Sequence, residues 1–169
     1  RSSGKQGHAI AAALAARGAK VTLVSGPVTL PQPPHVTHIA VESAREMMDA
    51  CTAALPADIA ICAAAVADWH VAGDTSGKLK KENAGPPQIE LVENPDILAS
   101  LSAHKKRPQL VIGFAAEAEN LRANAAAKSA RKGCDWILAN AVTRADGSSV
   151  FDSDSNGALL LAGNSCEDW

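Results

Sequence analysis

The sequence predicts an α/β fold: a three-layer, Rossmann-like α/β/α sandwich with a mostly parallel sheet and a mobile lid. Three observations predict it. Short apolar runs at 20–25, 36–41, 59–65, 109–115 and 135–139 alternate with longer stretches of helical character. The run from Asp58 to Trp69 is continuously apolar between polar ends, as in a strand buried on both faces. Asp68 closes that run, where an open α/β sheet delivers side chains to ligand.

Composition narrows the function classes. A chain of 169 residues is most simply one domain with a substantial core. A net charge of −2 gives no global field for nucleic acid or anionic lipid, so neither nucleic acid nor membrane is expected as a partner. No apolar run reaches membrane-spanning length and no signal peptide is visible, so the expectation is a cytoplasmic protein. Cys51, Cys62, Cys134 and Cys166 are scattered, with no pair at metal-ligand or CxxC spacing, and read as reduced thiols. His35 and His38 read as surface residues on opposite faces of a strand, so no metal bound by Cys or His is expected.

The first helix runs from Lys5 to about Arg17 and ends at Gly18. A Ser/Gly loop opening a helix that feeds the strand 20–25 is the middle of a βαβ unit. The strand before that loop is not in the sequence, and no helix covers the final strand. The chain therefore reads as a single domain over 1–169, a fragment lacking its first strand and its C-terminal end. After the loop 26–34 and the strand 36–41 comes a helix over 43–55, where Ser43 and Glu46 form a capping box and Met47, Cys51 and Leu55 an apolar stripe. Residues 69–88 hold few apolar side chains, as expected of a lid. A short strand over 89–92 leads to a helix from Asn94, the cap, with Pro95 at its first position, to about His104. Gly113 and Phe114 should stand at the carboxyl end of the strand 109–115. A helix over 117–132 follows, then the strand 135–139, a polar turn and a last strand over 157–162.

Each candidate motif has an ordinary structural reading beside its functional one. Ser2, Ser3, Gly4 and Lys5 open a helix and suit a phosphate, although GxxxxGK[ST] and GxGxxG spacings are both absent. Asp68 reads equally as a turn cap. Lys78, Lys80 and Lys81 read as a solvated face or as cations meeting phosphate. Asn94, Pro95 and Asp96 are explained by capping, and Phe114 by the core. Lys128 and Lys132 share a helical face, where they complement a helix C-terminus or bind a triphosphate.

Taken together, these motifs are specific. Ser2-Ser3-Gly4-Lys5 with Gly7, Ala64-Ala65-Val66-Ala67-Asp68-Trp69, the lysines from Lys78, Asn94-Pro95-Asp96-Ile97, Gly113-Phe114-Ala115-Ala116-Glu117, and Phe151 with Ser153, Asp154 and Asn156 stand in order over nearly the whole chain. The ensemble resembles the phosphopantothenoylcysteine synthetase (phosphopantothenate–cysteine ligase) family of coenzyme A biosynthesis, bacterial CTP-dependent type. The resemblance implies a ligase that joins 4′-phosphopantothenate to L-cysteine. CTP, with Mg²⁺, activates the carboxylate as an acyl-cytidylate with loss of pyrophosphate; cysteine then displaces CMP. It also implies a homodimer and, in many bacterial members, fusion to a flavin-dependent decarboxylase. By matching position, it places Ala63, Ala64, Asp68, Lys78, Pro95, Asp96, Ile97, Leu98, Phe114, Lys128 and Lys132 at the nucleotide. Lys78 is the lid lysine and the expected catalytic residue, and Ser2 to Lys5 form a phosphate-side loop. The family's functional asparagine, just before the position of Arg1, lies outside this sequence.

The chemistry agrees with those roles. Attack of a carboxylate on an α-phosphate builds negative charge, which fixed cations and N–H dipoles stabilise. A lid lysine arrives after substrate and helps exclude water. Asp68 serves either the ribose hydroxyls or the metal. Two other classes compete: a non-catalytic nucleotide-binding module, and a Rossmann oxidoreductase. The absence of GxGxxG and of any tyrosine weighs against the second.

Overall fold

The computed structural model describes residues 3–73, 89–117, 120–141, 158–163 and 165–168. Among these, parallel strands and flanking helices alternate as expected. Helix α1 (Lys5–Ala16) precedes β1 (Val21–Ser25), which pairs in parallel with β2 (Val36–Ala40). Gly4 caps α1 with a left-handed φ of 76°, and a Cβ there would lie 2.9 Å from Val28 Cγ1. Backbone sign and close approach thus both demand glycine at the start of this helix.

Helix α2 (Ala44–Ala53) begins at the capping box read from sequence. The Glu46 amide donates to Ser43 Oγ at 3.2 Å, and the Glu46 carboxylate accepts from the Glu42 amide at 2.9 Å. Strand β3 (Ile59–Cys62) pairs in parallel with β6 (Leu110–Glu117), and β6 with β7 (Trp136–Ala141). The far end of this sheet is antiparallel: β7 pairs with β8 (Ala158–Ala162), and β8 with β9 (Ser165–Asp168). A separate antiparallel ribbon joins β4 (Trp69–Val71) to β5 (Leu91–Glu93). Helices α3 (Ile97–Ser102) and α4 (Leu121–Lys132) pack on β6.

Several expectations need correction. Strand β3 is shorter than 59–65 and is not buried on both faces, since Ile59 is 49% exposed. Among the described residues it pairs with β6 alone, and its other edge opens on a cleft of about 600 Å³ shared with β1. Ile10 and Leu14 of α1 line this cleft together with Leu55 and Leu101. The strand covered on both sides is β8, in which Leu159, Leu160 and Leu161 are all buried.

Gly113 and Phe114 lie inside β6 rather than at its end, because pairing with β7 continues to Glu117. For the same reason α4 begins at Leu121 instead of Glu117. Strand β9 was not expected; Glu167 and Asp168 place charge on that outer strand. His38 is half-buried in β2, with Nε2 2.8 Å from Ser25 Oγ, while His35 lies before the strand at a φ of 60°. The four cysteines are unpaired, and burial pushes the Cys62 thiol up to about 12. Residues 74–88, most of the expected lid, lie outside the described residues, as does the polar turn 151–156.

The core around β6 and β7 depends on two local features. Val111 and Ile137 are fully buried, and Gly113 lies between Leu98 and Ile137. A Cβ on Gly113 would stand 2.6 Å from Leu98 Cδ2 and 2.8 Å from Ile137 Cδ1. The second feature is Arg107. It donates to Ser102 O at 2.9 Å, to Pro108 O at 3.0 Å and to both Asp135 oxygens at 2.9 Å. Asp135 also accepts from the Val111 amide at 2.7 Å. The end of α3, the start of β6 and the start of β7 are thereby tied together.

Two outcomes follow. Gly113→Ala should destabilise the domain by about 1–3 kcal/mol, since Leu98 and Ile137 must both move in a packed core; chemical denaturation measures it. Burial disfavours the Asp135 carboxylate, but the Val111 amide and Arg107 outweigh it and hold its pKa below the ordinary value. The stability it contributes is present above the ordinary carboxylate range and is lost as pH falls through the lowered folded value. Asp135→Asn should therefore flatten the acid limb of stability against pH, by no more than about 1 kcal/mol for a pair this exposed to solvent.

Candidate functional site

The expected site residues converge in part. Strand β3 ends at Cys62, so Ala63 and Ala64 continue past its carboxyl end, and both line the cleft that Gly7 of α1 also reaches. The chain then runs to Asp68, an exposed carboxylate with no hydrogen bond or ion pair to any described residue. From Asp68 it enters the β4–β5 ribbon, which returns it to the start of α3.

The helix start differs from the sequence reading. Asp96, not Asn94, is the cap of α3: its Oδ1 accepts from the Ala99 amide at 3.1 Å. The helix begins at Ile97, so Pro95 precedes it, and it ends at Ser102 rather than near His104. Asn94 is released from capping because its side chain reaches elsewhere: Nδ2 donates to Ala67 O at 2.9 Å, and its backbone N–H donates to Asp68 O at 2.8 Å. The loop after β3 is thus pinned to the entry of α3.

Both helix-face lysines of α4 turn toward this region and both have protein partners. Lys132 Nζ bonds and ion-pairs with Asp96, and Lys128 Nζ donates to Phe114 O at 2.8 Å. Burial works against the Asp96 carboxylate, but Lys132 and the Ala99 amide outweigh it and hold its pKa below the usual carboxylate range. Ile97 is buried, and Leu98 lies against Gly113, so these two hold α3 on the sheet. Phe114 is half-buried in β6.

Ser3 and Gly4 precede α1, whose first residue is Lys5, and the first turn of the helix approaches the end of β7 through Gln6, whose Oε1 lies 3.5 Å from Asn140 Nδ2. Asn140 Oδ1 is buried without a partner among the described residues, a polar end that the motif reading passed over because a strand-end asparagine has no signature of its own. Ser2 and Lys78 lie outside the described residues.

Asp68, the α3 entry with Asp96 and Lys132, and Lys128 with Phe114 therefore form one connected region of carboxylates, cations and backbone carbonyls beside parallel strands. Among the described residues no group of three or more His, Cys, Asp or Glu side chains is gathered for a metal ion. No helix among them is long and apolar enough to cross a membrane.

This is an α/β domain in which charged side chains gather where strands hand over to helices. The chain belongs to a specific family of such domains, the DNA/pantothenate metabolism flavoprotein C-terminal domain, whose family model matches residues 1–169. A coenzyme A biosynthesis bifunctional protein CoaBC from Escherichia coli K12 is 46% identical over 163 residues, covering 95% of this chain and 40% of that protein. The protein of the same name from Mycobacterium tuberculosis H37Rv is 43% identical over 178 residues, covering 99% of this chain and 42% of that protein. The chain thus spans about two fifths of the length of these relatives. The crystal structure of a CoaBC C-terminal domain superposes with a TM-score of 0.79 at 34% identity, covering 99% of this chain and 74% of that one. A flavoprotein of DNA/pantothenate metabolism from Streptococcus pneumoniae shares the fold, with a TM-score of 0.78 at 17% identity, covering 100% of this chain and 82% of that one.

The Asp96–Lys132 contact has a direct readout. In Lys132→Gln the Asp96 carboxyl should titrate at a higher pH than in the parent chain, though the Ala99 amide still lowers it in part. Carboxyl-carbon NMR titration measures the change, and an unmoved Asp96 would show that the ion pair does not form in solution.

Proposed function

We propose that this chain is the phosphopantothenate–cysteine ligase domain of a coenzyme A biosynthesis enzyme. Its substrates are CTP, 4′-phosphopantothenate and L-cysteine. The carboxylate of phosphopantothenate attacks the α-phosphate of CTP, releasing pyrophosphate and forming an acyl-cytidylate; the cysteine amine then attacks the acyl carbon, giving the amide and CMP. The observation that carries this reading is the convergence of Lys128, Lys132, Asp96 and the Asp68 loop beside β3 and β6, in a chain that matches the family along its whole length.

In this reading the nucleotide occupies the region from Ala63–Ala64 and Asp68 to Pro95–Leu98, with Phe114 on its base side. Lys128 and Lys132 serve the triphosphate, and the Ser2–Lys5 loop a phosphate. Lys78 is the catalytic lysine: it meets the charge that develops on the α-phosphate, and the lid that carries it excludes water. Mg²⁺ accompanies CTP. Asp68 is a carboxylate with no partner among the described residues, which fits an ion that keeps most of its ligands from phosphate and water and takes only one or two from protein. Asp68 serves either that ion or the ribose hydroxyls.

The active form is proposed to be a homodimer. Trp69, Val71, Leu91 and Val92 expose apolar surface on the β4–β5 ribbon, at 57%, 39%, 56% and 40% of their areas. The full-length protein is proposed to be bifunctional, fused to a flavin-dependent decarboxylase. It is placed in the cytoplasm, where unpaired cysteines are kept reduced.

Pyrophosphate release by the full-length protein with CTP, phosphopantothenate and cysteine tests the activity. Binding of CTP without turnover would make the domain a non-catalytic nucleotide module, and binding of NAD(P) in a fluorescence titration would make it an oxidoreductase. Lys78→Gln should slow acyl-cytidylate formation by roughly a hundredfold or more, on the order of 3 kcal/mol. Its stability should stay within about 0.5 kcal/mol of the parent. Lys80→Gln and Lys81→Gln should cost much less. A Lys78→Gln enzyme that forms the intermediate at the parent rate would return the cluster to a solvated face. Sedimentation should find a dimer, and a monomer at micromolar concentration would remove that proposal.

A further inference from the structure

The structure assigns Asn94 a positioning role: its side-chain amide holds the loop after β3 so that the Asp68 carboxylate faces the nucleotide. The inference rests on the nucleotide site proposed above.

Its first basis is that Asn94 is free to do this. Asp96 caps α3 through the Ala99 amide, so the Asn94 side chain has no capping duty. It instead donates from Nδ2 to Ala67 O at 2.9 Å, a bond between residues 27 positions apart. The Asn94 backbone N–H donates to Asp68 O at 2.8 Å, extending the β4–β5 ladder by one step. Two consecutive carbonyls, those of Ala67 and Asp68, are therefore held by one residue. They flank the Asp68 Cα, so fixing the two peptide planes fixes the backbone from which the carboxylate projects.

The second basis is that no described residue holds the Asp68 side chain. Its carboxylate meets no described residue, and residues 63–67 belong to no helix or strand. The direction of that side chain therefore depends on the backbone, which the β4–β5 ladder holds on the Trp69 side and the Asn94 side chain holds on the Ala67 side. The third basis is preorganisation of Asn94 itself. Pro95 follows it, and a residue before proline is confined to extended conformations, which limits the directions available to its amide.

Asn94→Ala removes the side-chain bond and keeps the backbone one. Asn94→Asp keeps the shape but replaces the donor with an acceptor facing a carbonyl. In the full-length protein, CTP binding with Mg²⁺ is measured by calorimetry for Asp68→Ala, Asn94→Ala, Asn94→Asp and the double variant Asp68→Ala/Asn94→Ala. Thermal unfolding is recorded for each. The expected result is that each single variant weakens CTP about tenfold, the loss of one useful hydrogen bond, and that the double variant binds no more weakly than Asp68→Ala. A residue that merely stabilises the fold would shift thermal unfolding and add its effect to that of Asp68→Ala. If Asp68→Ala weakens CTP while Asn94→Ala or Asn94→Asp binds normally, or while the double variant shows the full product of both losses, the positioning role is overturned and the site stands. If Asp68→Ala binds CTP normally, the placement of Asp68 at the nucleotide is wrong, and the role of Asn94 falls with it.

Discussion

The close approach of Leu98 and Ile137 over Gly113 is the constraint on which the rest depends. Strand β6 lies between β3 and β7 and runs in parallel with both. Helix α3 reaches that strand because a hydrogen stands where any other residue would carry a methyl group. The position of α3 sets where Asp96 caps it, and Asp96 sets where Lys132 is held. The position of α3 also sets the point from which Asn94 reaches back to the loop after β3. A six-residue helix has little stability of its own, so its placement must come from packing. The buried side chains of Ile97 and Leu101 supply the remainder of that packing, against Val41 and Met47.

Arg107 secures the opposite end of the same elements. It satisfies carbonyls at the end of α3 and before β6, and its charge is matched by an aspartate at the start of β7. Helix ends leave carbonyls without partners, and a guanidinium has enough donors to serve several at once. The sheet is therefore fixed at its amino edge by a polar knot, while its apolar centre is fixed by packing.

The order of strands and helices was legible in the sequence because it depends on local pattern. The alternation of β-rich runs with helical stretches, the Ser43–Glu46 box and the glycine before α1 all act within a few residues. What was not legible is non-local. Asn94 followed by Pro95 and Asp96 reads as a cap in sequence, and only a carbonyl 27 positions away diverts it. The apolar run at 59–65 looks covered on both faces, yet the coverage depends on which strands neighbour β3, and one of its edges has no described partner. The strand read over 109–115 puts Gly113 and Phe114 at its carboxyl end, but the register with β7 carries the strand two residues further, to Glu117. Of the nucleotide-side residues, the motifs indicated which belong together; they held no information on how Lys128 and Lys132 are partnered.

That partnering bears on how the proposed site handles charge. Two unpartnered lysines on one face repel each other and must stay hydrated, whereas here one rests on a carboxylate and the other on a backbone carbonyl. A triphosphate that draws Lys132 away must break the contact with Asp96, and this would be costly if the carboxylate were left without partners. It is not left so, because Asp96 retains the Ala99 amide and stands at the start of a helix, where negative charge is favoured. Lys128 gives up a carbonyl of Phe114, a residue that pairs with Leu138 of β7 just past the last pair between β3 and β6. In the proposed reaction the lysines therefore exchange one acceptor for another, and the strongly charged ligand is the acceptor they prefer. In that proposal Asp96 keeps the Ala99 amide when Lys132 moves to the phosphates, so the charge assembled during folding passes to the ligand without leaving that carboxylate bare.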